Sequence, residues 1–131
     1  MKSSNNAVFQ IHYHLVLVTK HRRKVIDEAV RQRLFEIFTD LCERWDCDLQ
    51  EFNSDEDHVH LLLDGRPEVK PSTLINNLKT VSSRYIRKEF PQLRRSNQAF
   101  WSPSYCLVSS GGAPLEIIKA YIENQGAKDK S

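Results

Sequence analysis

The sequence predicts an α+β domain of the ferredoxin-like, RRM-like split βαβ type: an antiparallel sheet with helices on one face. Three observations lead there. Segments of strand-like alternation and of helix-like periodicity follow one another in the order β-α-β-β-α-β. Two of the strands are joined by a short polar turn, as a hairpin requires. A further helix follows a Gly111-Gly112 pair, so it can swing across the sheet face that the other helices leave open.

Each element has a local reason. From Phe9 to Thr19, Phe9, Ile11, Tyr13, Leu15 and Leu17 alternate with Gln10, His12, His14, Val16 and Val18, which is the first strand. The basic run Lys20-His21-Arg22-Arg23-Lys24 follows as a loop. Asp27 can cap a helix running to about Asp46. Within it Val30, Leu34, Ile37, Phe38, Leu41 and Trp45 recur at three and four and form one apolar stripe. Cys47 to Asn53 is the second strand, Ser54-Asp55-Glu56-Asp57 the turn, and His58 to Leu63 the third strand. Asp64-Gly65-Arg66-Pro67 breaks the chain. Pro71-Ser72-Thr73 opens the second helix, with Leu74, Leu78, Val81 and Tyr85 inward, ending near Phe90-Pro91. Ser104 to Ser109 is the fourth strand. Pro114 starts the last helix, about 114–126.

With 131 residues, 40% of them apolar, the chain has the size of one domain with a real core, and residues 1–131 are read as that single domain. No apolar run of about 18 residues marks a membrane span, and the start carries no apolar signal core, so the expected location is the cytoplasm and no membrane partner is expected. Cys42, Cys47 and Cys106 form no Cys-x-x-Cys pair, which argues against a disulfide framework or a zinc knuckle. Net charge is only +2, but positive charge is segregated into the run at 20–24 and the span from Arg66 to Arg95. Such segregation suits a polyanion. Arg22, Arg23, Lys24, Lys79, Arg84, Arg87 and Lys88 are the candidate phosphate contacts; a solvated face is the plainer alternative.

The chemistry concentrates in Asp57-His58-Val59-His60-Leu61-Leu62-Leu63. Strand alternation puts His58 and His60 on one face and Val59, Leu61 and Leu63 on the other. Packing those apolar residues under the helices turns both imidazoles to the open face, where they can hold a divalent cation. On the last helix Tyr121 and Gln125 are four apart and share one side. Gln125 offers a carbonyl oxygen to a cation, and Tyr121 a phenol that becomes a covalent nucleophile once its proton leaves. Two imidazoles and an amide oxygen leave positions open for a phosphodiester. Imidazole with oxygen ligands suits magnesium or manganese (Mg2+ or Mn2+), and zinc remains compatible. A tyrosine nucleophile produces a phosphotyrosine link, which suits strand transfer better than hydrolysis.

These residues carry a resemblance. His58-Val59-His60 resembles the HUH motif, and Tyr121-x-x-x-Gln125 resembles the single-tyrosine branch of that superfamily. The match extends to Tyr13-His14-Leu15, Leu78-Lys79, Phe90-Pro91, Trp101-Ser102-Pro103-Ser104-Tyr105-Cys106 and Tyr121-Ile122-Glu123-Asn124-Gln125, in order along nearly the whole chain. The chain is similar to the TnpA transposases of bacterial insertion sequences that move as single-stranded DNA. That resemblance implies a metal-dependent DNA strand-transferase acting on hairpin ends. Tyr121 would hold the 5′-phosphate and release a 3′-hydroxyl, while His58, His60 and Gln125 hold the cation. It also implies a homodimer with merged sheets, joined through the fourth strand, in which one subunit's tyrosine helix can serve the other's histidines. Gly111 and Gly112 would be the hinge. Alternatives are a domesticated nickase of repeated hairpins in the same superfamily, or a non-catalytic module binding single-stranded nucleic acid.

Overall fold

A computed structural model of the chain describes residues 11–65, 68–95, 98–109 and 115–130. Gly111 and Gly112, the expected hinge, lie outside the described residues, as does the start of the first strand. Seven elements follow one another: β1 (Ile11–Val18), α1 (Glu28–Arg44), β2 (Asp48–Ser54), β3 (His58–Gly65), α2 (Pro71–Glu89), β4 (Cys106–Ser109) and α3 (Leu115–Lys130). A 3₁₀ turn at Lys20–Arg22 follows β1, and another at Pro91–Leu93 follows α2. The four strands form one antiparallel sheet in the order β2-β3-β1-β4, as the split βαβ pattern requires.

Local chemistry sets the boundaries. Asp27 caps α1, its carboxylate accepting from the Val30 N–H at 2.9 Å. Pro71 begins α2, where its missing N–H costs nothing. Asp46 takes a positive φ of 55° to turn the chain from α1 into β2, a conformation that aspartate tolerates better than most residues. β3 runs two residues past Leu63, because Asp64 and Gly65 still pair with His12 and Ile11. β4 is shorter than expected and starts at Cys106. The residues before it are drawn off the ladder by α2, whose Lys79 ammonium donates to the carbonyls of Ser102, Pro103 and Ser104 at 2.7, 2.9 and 3.2 Å.

The main core lies between one sheet face and the helices α1 and α2. It contains Leu15, Leu17, Val59, Leu61 and Leu63 from the strands, and Leu34, Phe38, Leu74, Leu78 and Ile86 from the helices. Phe100 and Trp101 join it, so these two aromatics are core residues. Trp101 Nε1 donates to Ser82 Oγ at 2.9 Å, and Ser83 Oγ accepts from the Phe100 N–H at 3.0 Å. Both bonds tie the segment ahead of β4 to α2. Removing one buried leucine from a core this well sealed costs about 2–5 kcal/mol.

Tyr85 departs from its expected inward position. Its ring is 41% exposed, with the Arg33 guanidinium 5.4 Å from its centroid, while Ile75 and Ile86 take the buried stripe. Those two positions lie one residue, about 100° of helix turn, off the row read from spacing, so the buried face of α2 is broader than that row and takes in Ser82 and Ser83 beside Leu74 and Leu78. No helix among the described residues is long and apolar enough to cross a membrane.

Candidate active site

Strand register builds the second face of the sheet. Val16 pairs with His60 and Val18 with His58, while His14 stands opposite Leu62 and His12 opposite Asp64. Leu15, Leu17, Val59 and Leu61 go into the main core. The parity read from the sequence therefore holds: His58 and His60 share the face away from α1 and α2. On the same face Val16, Val18, Cys106 and Ile118 form a second apolar cluster, against which Val108, Tyr121 and Ile122 pack. So α3 lies across β1 and β4 of its own chain, next to the strand that carries the histidines. It also meets the 3₁₀ turn at Lys20–Arg22.

His58 is oriented by its neighbour. Its Nδ1 lies 2.8 Å from Asp57 Oδ1, while the other oxygen, Oδ2, accepts from Arg22 Nε at 3.1 Å. Asp57 is buried, which opposes its ionisation; the bonds from His58 and Arg22 outweigh this and hold the carboxyl below its ordinary pKa. A carboxylate on Nδ1 fixes that nitrogen as the donor and leaves Nε2 with a lone pair for a cation. The Asp57 carbonyl also accepts from the Thr19 N–H and hydroxyl, at 2.9 and 3.1 Å. Arg22 reaches Asp57 from a backbone with φ of 53°, following His21 at 61°, so two left-handed residues turn this loop back over the histidine strand.

His60 meets a different partner. Its Nε2 lies 3.1 Å from His14 Nδ1, with ring centroids 5.3 Å apart. Burial, then the nearby His14, push its pKa down, and Glu51 opposes this. The neutral imidazole favoured here is the form that ligates metals. His12 contacts the buried Asp64 at the far end of the row. Among the described residues no three His, Cys, Asp or Glu side chains cluster as a metal site. The amide oxygen of Gln125 is a donor outside those residue types. Two imidazoles, one preset by a carboxylate, plus an amide oxygen fit a divalent cation of the magnesium–manganese–zinc group.

Tyr121 and Gln125 do sit together. Gln125 is buried, and both side chains meet Ser104: its Oγ is 2.9 Å from Tyr121 Oη and donates to Gln125 Oε1 at 2.8 Å. The helix carrying the tyrosine thus shares a sheet face with the histidines, but its tyrosine and glutamine are tied to the segment before β4.

The candidate phosphate contacts divide. Arg22 is engaged with Asp57, and half-buried Arg23 donates to the Leu93 carbonyl at 3.2 Å. Burial, then Arg95, lowers the Arg23 pKa. Lys24, Arg84 and Lys88 are exposed. Arg84 and Arg87 line a cleft of about 350 Å³ between α2 and residues 99–103. Lys79 differs from the phosphate contact expected of it: its ammonium is spent on three carbonyls, and burial lowers its pKa.

From the sequence, Asp57 is expected only in the turn, His12 and His14 are expected on the sheet face or behind the ligands, and Ser104 has no expected role; the structure puts Asp57 on His58, His14 on His60 and Ser104 on Gln125. Asp57 has the wrong strand parity to point with His58, but it sits in the turn, where the side chain can bend back. The shared face of His12 and His14 was the visible signal for His14. Nothing in the spacing of Ser104 marks it.

The family model described as transposase, IS200-like, matches residues 7–125. The chain belongs to this family. Among relatives of the IS200-like transposases, the ISDra2 transposase TnpA of Deinococcus radiodurans is 30% identical over 131 residues, covering 98% of this chain and 94% of that protein. The transposase for insertion sequence element IS200 of Salmonella typhimurium is also 30% identical, covering 98% of this chain and 86% of its own. A crystal structure of a candidate transposase from Deinococcus radiodurans R1 superposes with a TM-score of 0.86 at 31% identity, covering 95% and 98% of the two chains. A REP-associated tyrosine transposase bound to a REP hairpin has a TM-score of 0.61 at 9% identity, covering 94% of this chain and 69% of that one, which is a likeness of fold. Membership in the IS200-like transposases assigns the activity class, cutting and joining DNA in transposition.

Proposed function

We propose that this transposase cleaves single-stranded DNA beside a hairpin through a 5′-phosphotyrosine at Tyr121, and later rejoins the strands. The observation that carries this reading is that α3, with Tyr121 and Gln125, lies on the sheet face that displays His58 and His60. In the cleavage step the phenol oxygen of Tyr121 forms a bond to phosphorus as its proton leaves. The bond from phosphorus to the 3′-oxygen breaks, and that oxygen departs as a hydroxyl after taking up a proton. In rejoining, a 3′-hydroxyl attacks the phosphotyrosine and restores the phenol. Neither step consumes an external energy source, because the phosphodiester energy stays in the covalent link.

His58, His60 and Gln125 would hold a divalent cation, magnesium or manganese. When bound it supplies positive charge that offsets the charge building on the phosphate oxygens. Asp57 keeps the His58 ring turned for that task. Arg84, Arg87, Lys88 and Lys24 would meet the sugar–phosphate backbone. The working unit would be a homodimer, with the tyrosine helix of either subunit available to the histidines.

The test is a labelled single-stranded hairpin oligonucleotide incubated with the protein and Mg2+ or Mn2+. A covalent protein–DNA band is expected, and it should vanish in Tyr121→Phe and after chelation. A band that persists in Tyr121→Phe sinks the tyrosine mechanism. Binding without cleavage across many end sequences would point instead to a non-catalytic module.

A further inference from the structure

Segment 100–104 is unusually well fastened for a stretch without regular structure. Its attachments come from one face of α2: Ser83 accepts from the Phe100 N–H, Ser82 from the Trp101 indole, and Lys79 holds the carbonyls of Ser102, Pro103 and Ser104. At the other edge the Ser102 N–H donates to the Val18 carbonyl at 2.8 Å, on the β1 residue that pairs with His58. The segment is thus a fixed strap between the helix layer and the end of the histidine strands. The hydroxyl of Ser104 projects from it to α3.

That hydroxyl has one proton. Ser104 Oγ gives it to Gln125 Oε1 at 2.8 Å, because a carbonyl oxygen can only accept. The contact with Tyr121 Oη at 2.9 Å must then run the other way, with the phenol donating to the serine oxygen. The two bonds form a directional chain from Tyr121 through Ser104 to Gln125, and each strengthens the other. It aims the phenol proton at the strap and leaves the phenol lone pairs directed elsewhere. At the same time it sets the rotamer of the Gln125 amide.

We propose that Ser104 is a positioning residue for strand cleavage: it sets the phenol of Tyr121 and the amide oxygen of Gln125 together, using the strap as its rigid base. This rests on the reading of Tyr121 as nucleophile and Gln125 as ligand. No assigned motif residue performs this role, and it needs no titration of the serine itself. Misplacing a reacting group by a fraction of its bond length to the target is costly, so loss of the hydroxyl should be felt in the chemical step and not in DNA affinity.

The test compares Ser104→Ala and Ser104→Thr with the unsubstituted protein. In single-turnover assays on the hairpin oligonucleotide, Ser104→Ala should form covalent adduct about tenfold to a hundredfold more slowly. Its dissociation constant for the same DNA should not change, and Ser104→Thr should recover most of the rate. A second readout needs neither metal nor DNA: amide hydrogen exchange across α3 should quicken in Ser104→Ala and return toward the starting rate in Ser104→Thr. Adduct formation at the unsubstituted rate in Ser104→Ala overturns the proposal, as does a Ser104→Thr protein no faster than Ser104→Ala. If the unsubstituted protein forms no adduct, or Tyr121→Phe still does, the nucleophile reading fails instead. In that case unchanged exchange across α3 in Ser104→Ala would still refute the serine's positioning role.

Discussion

A carboxylate shared between an imidazole and a guanidinium separates His58 from an ordinary histidine on a sheet face. Asp57 takes the His58 Nδ1 proton contact and the Arg22 Nε–H, and its backbone carbonyl anchors Thr19. Asp57→Asn keeps the size and loses the charge. We expect manganese affinity, read by titration calorimetry, to fall about 10- to 100-fold, the usual range for a carboxylate behind a metal-bound histidine. Equal affinity in the two proteins would remove Asp57 from the site. At this scale the sequence was only partly legible. The parity of His58 and His60 follows from period-two geometry alone, because Val59, Leu61 and Leu63 can go nowhere but the core. The partners of the site residues do not follow from it. Ser104 and His14 reach their targets from other segments, as Arg22 reaches Asp57, and a contact between distant segments has no periodicity to betray it.

At the scale of elements, most helices and strands were legible because each carries its own signal: a cap at Asp27, a proline at Pro71, alternation through β1. The misjudged features are those decided by a neighbour. β4 loses its first two residues to the Lys79 clamp, and Tyr85 turns outward under Arg33. A third neighbour effect is the pair joining α1 to α2, in which Arg33 Nε and Nη2 donate to the two Glu89 carboxylate oxygens at 2.6 and 3.0 Å. The bond from Arg33 holds the Glu89 carboxyl below its ordinary pKa, against the opposing effect of burial. A carboxylate with a depressed pKa adds stability that is complete above its unfolded value, about 4.3, and is lost as pH falls through the folded value. Both side chains are about one-third exposed, so solvent screening keeps the contribution to roughly 0.2–1 kcal/mol. Glu89→Gln should therefore be less stable in urea by that amount at neutral pH, and the gap should close near pH 3. A gap that is the same at both pH values would show that the bidentate pair contributes nothing ionic.

For the whole molecule, the order β2-β3-β1-β4 puts the two longest strands in the centre and gives each of them one face for the main core and one that carries the histidines and, on β1, the seat of α3. The split βαβ plan was legible because the alternation of elements admits few topologies once connections are short and right-handed. The position of α3 was legible only as a helix able to reach the open face. Its resting place over Val16, Val18 and Cys106 is decided by apolar side chains that three separate elements supply.

One consequence lies in the pairing of β1 with β3. A slip of a single residue would send His58 and His60 into the core and bring Val59, Leu61 and Leu63 into water. Such a chain would lose several fully buried side chains at once, far more than marginal stability tolerates. The register therefore works as proofreading: a molecule that has folded has, by the same act, displayed its imidazoles on the correct side. The fraction competent to bind manganese should follow the folded fraction through a urea titration with one shared midpoint. A separate, earlier loss of binding would mean that the site can be damaged without unfolding. Correct display of the histidines is then inspected by the hydrophobic core, and no later maturation step is needed to set it.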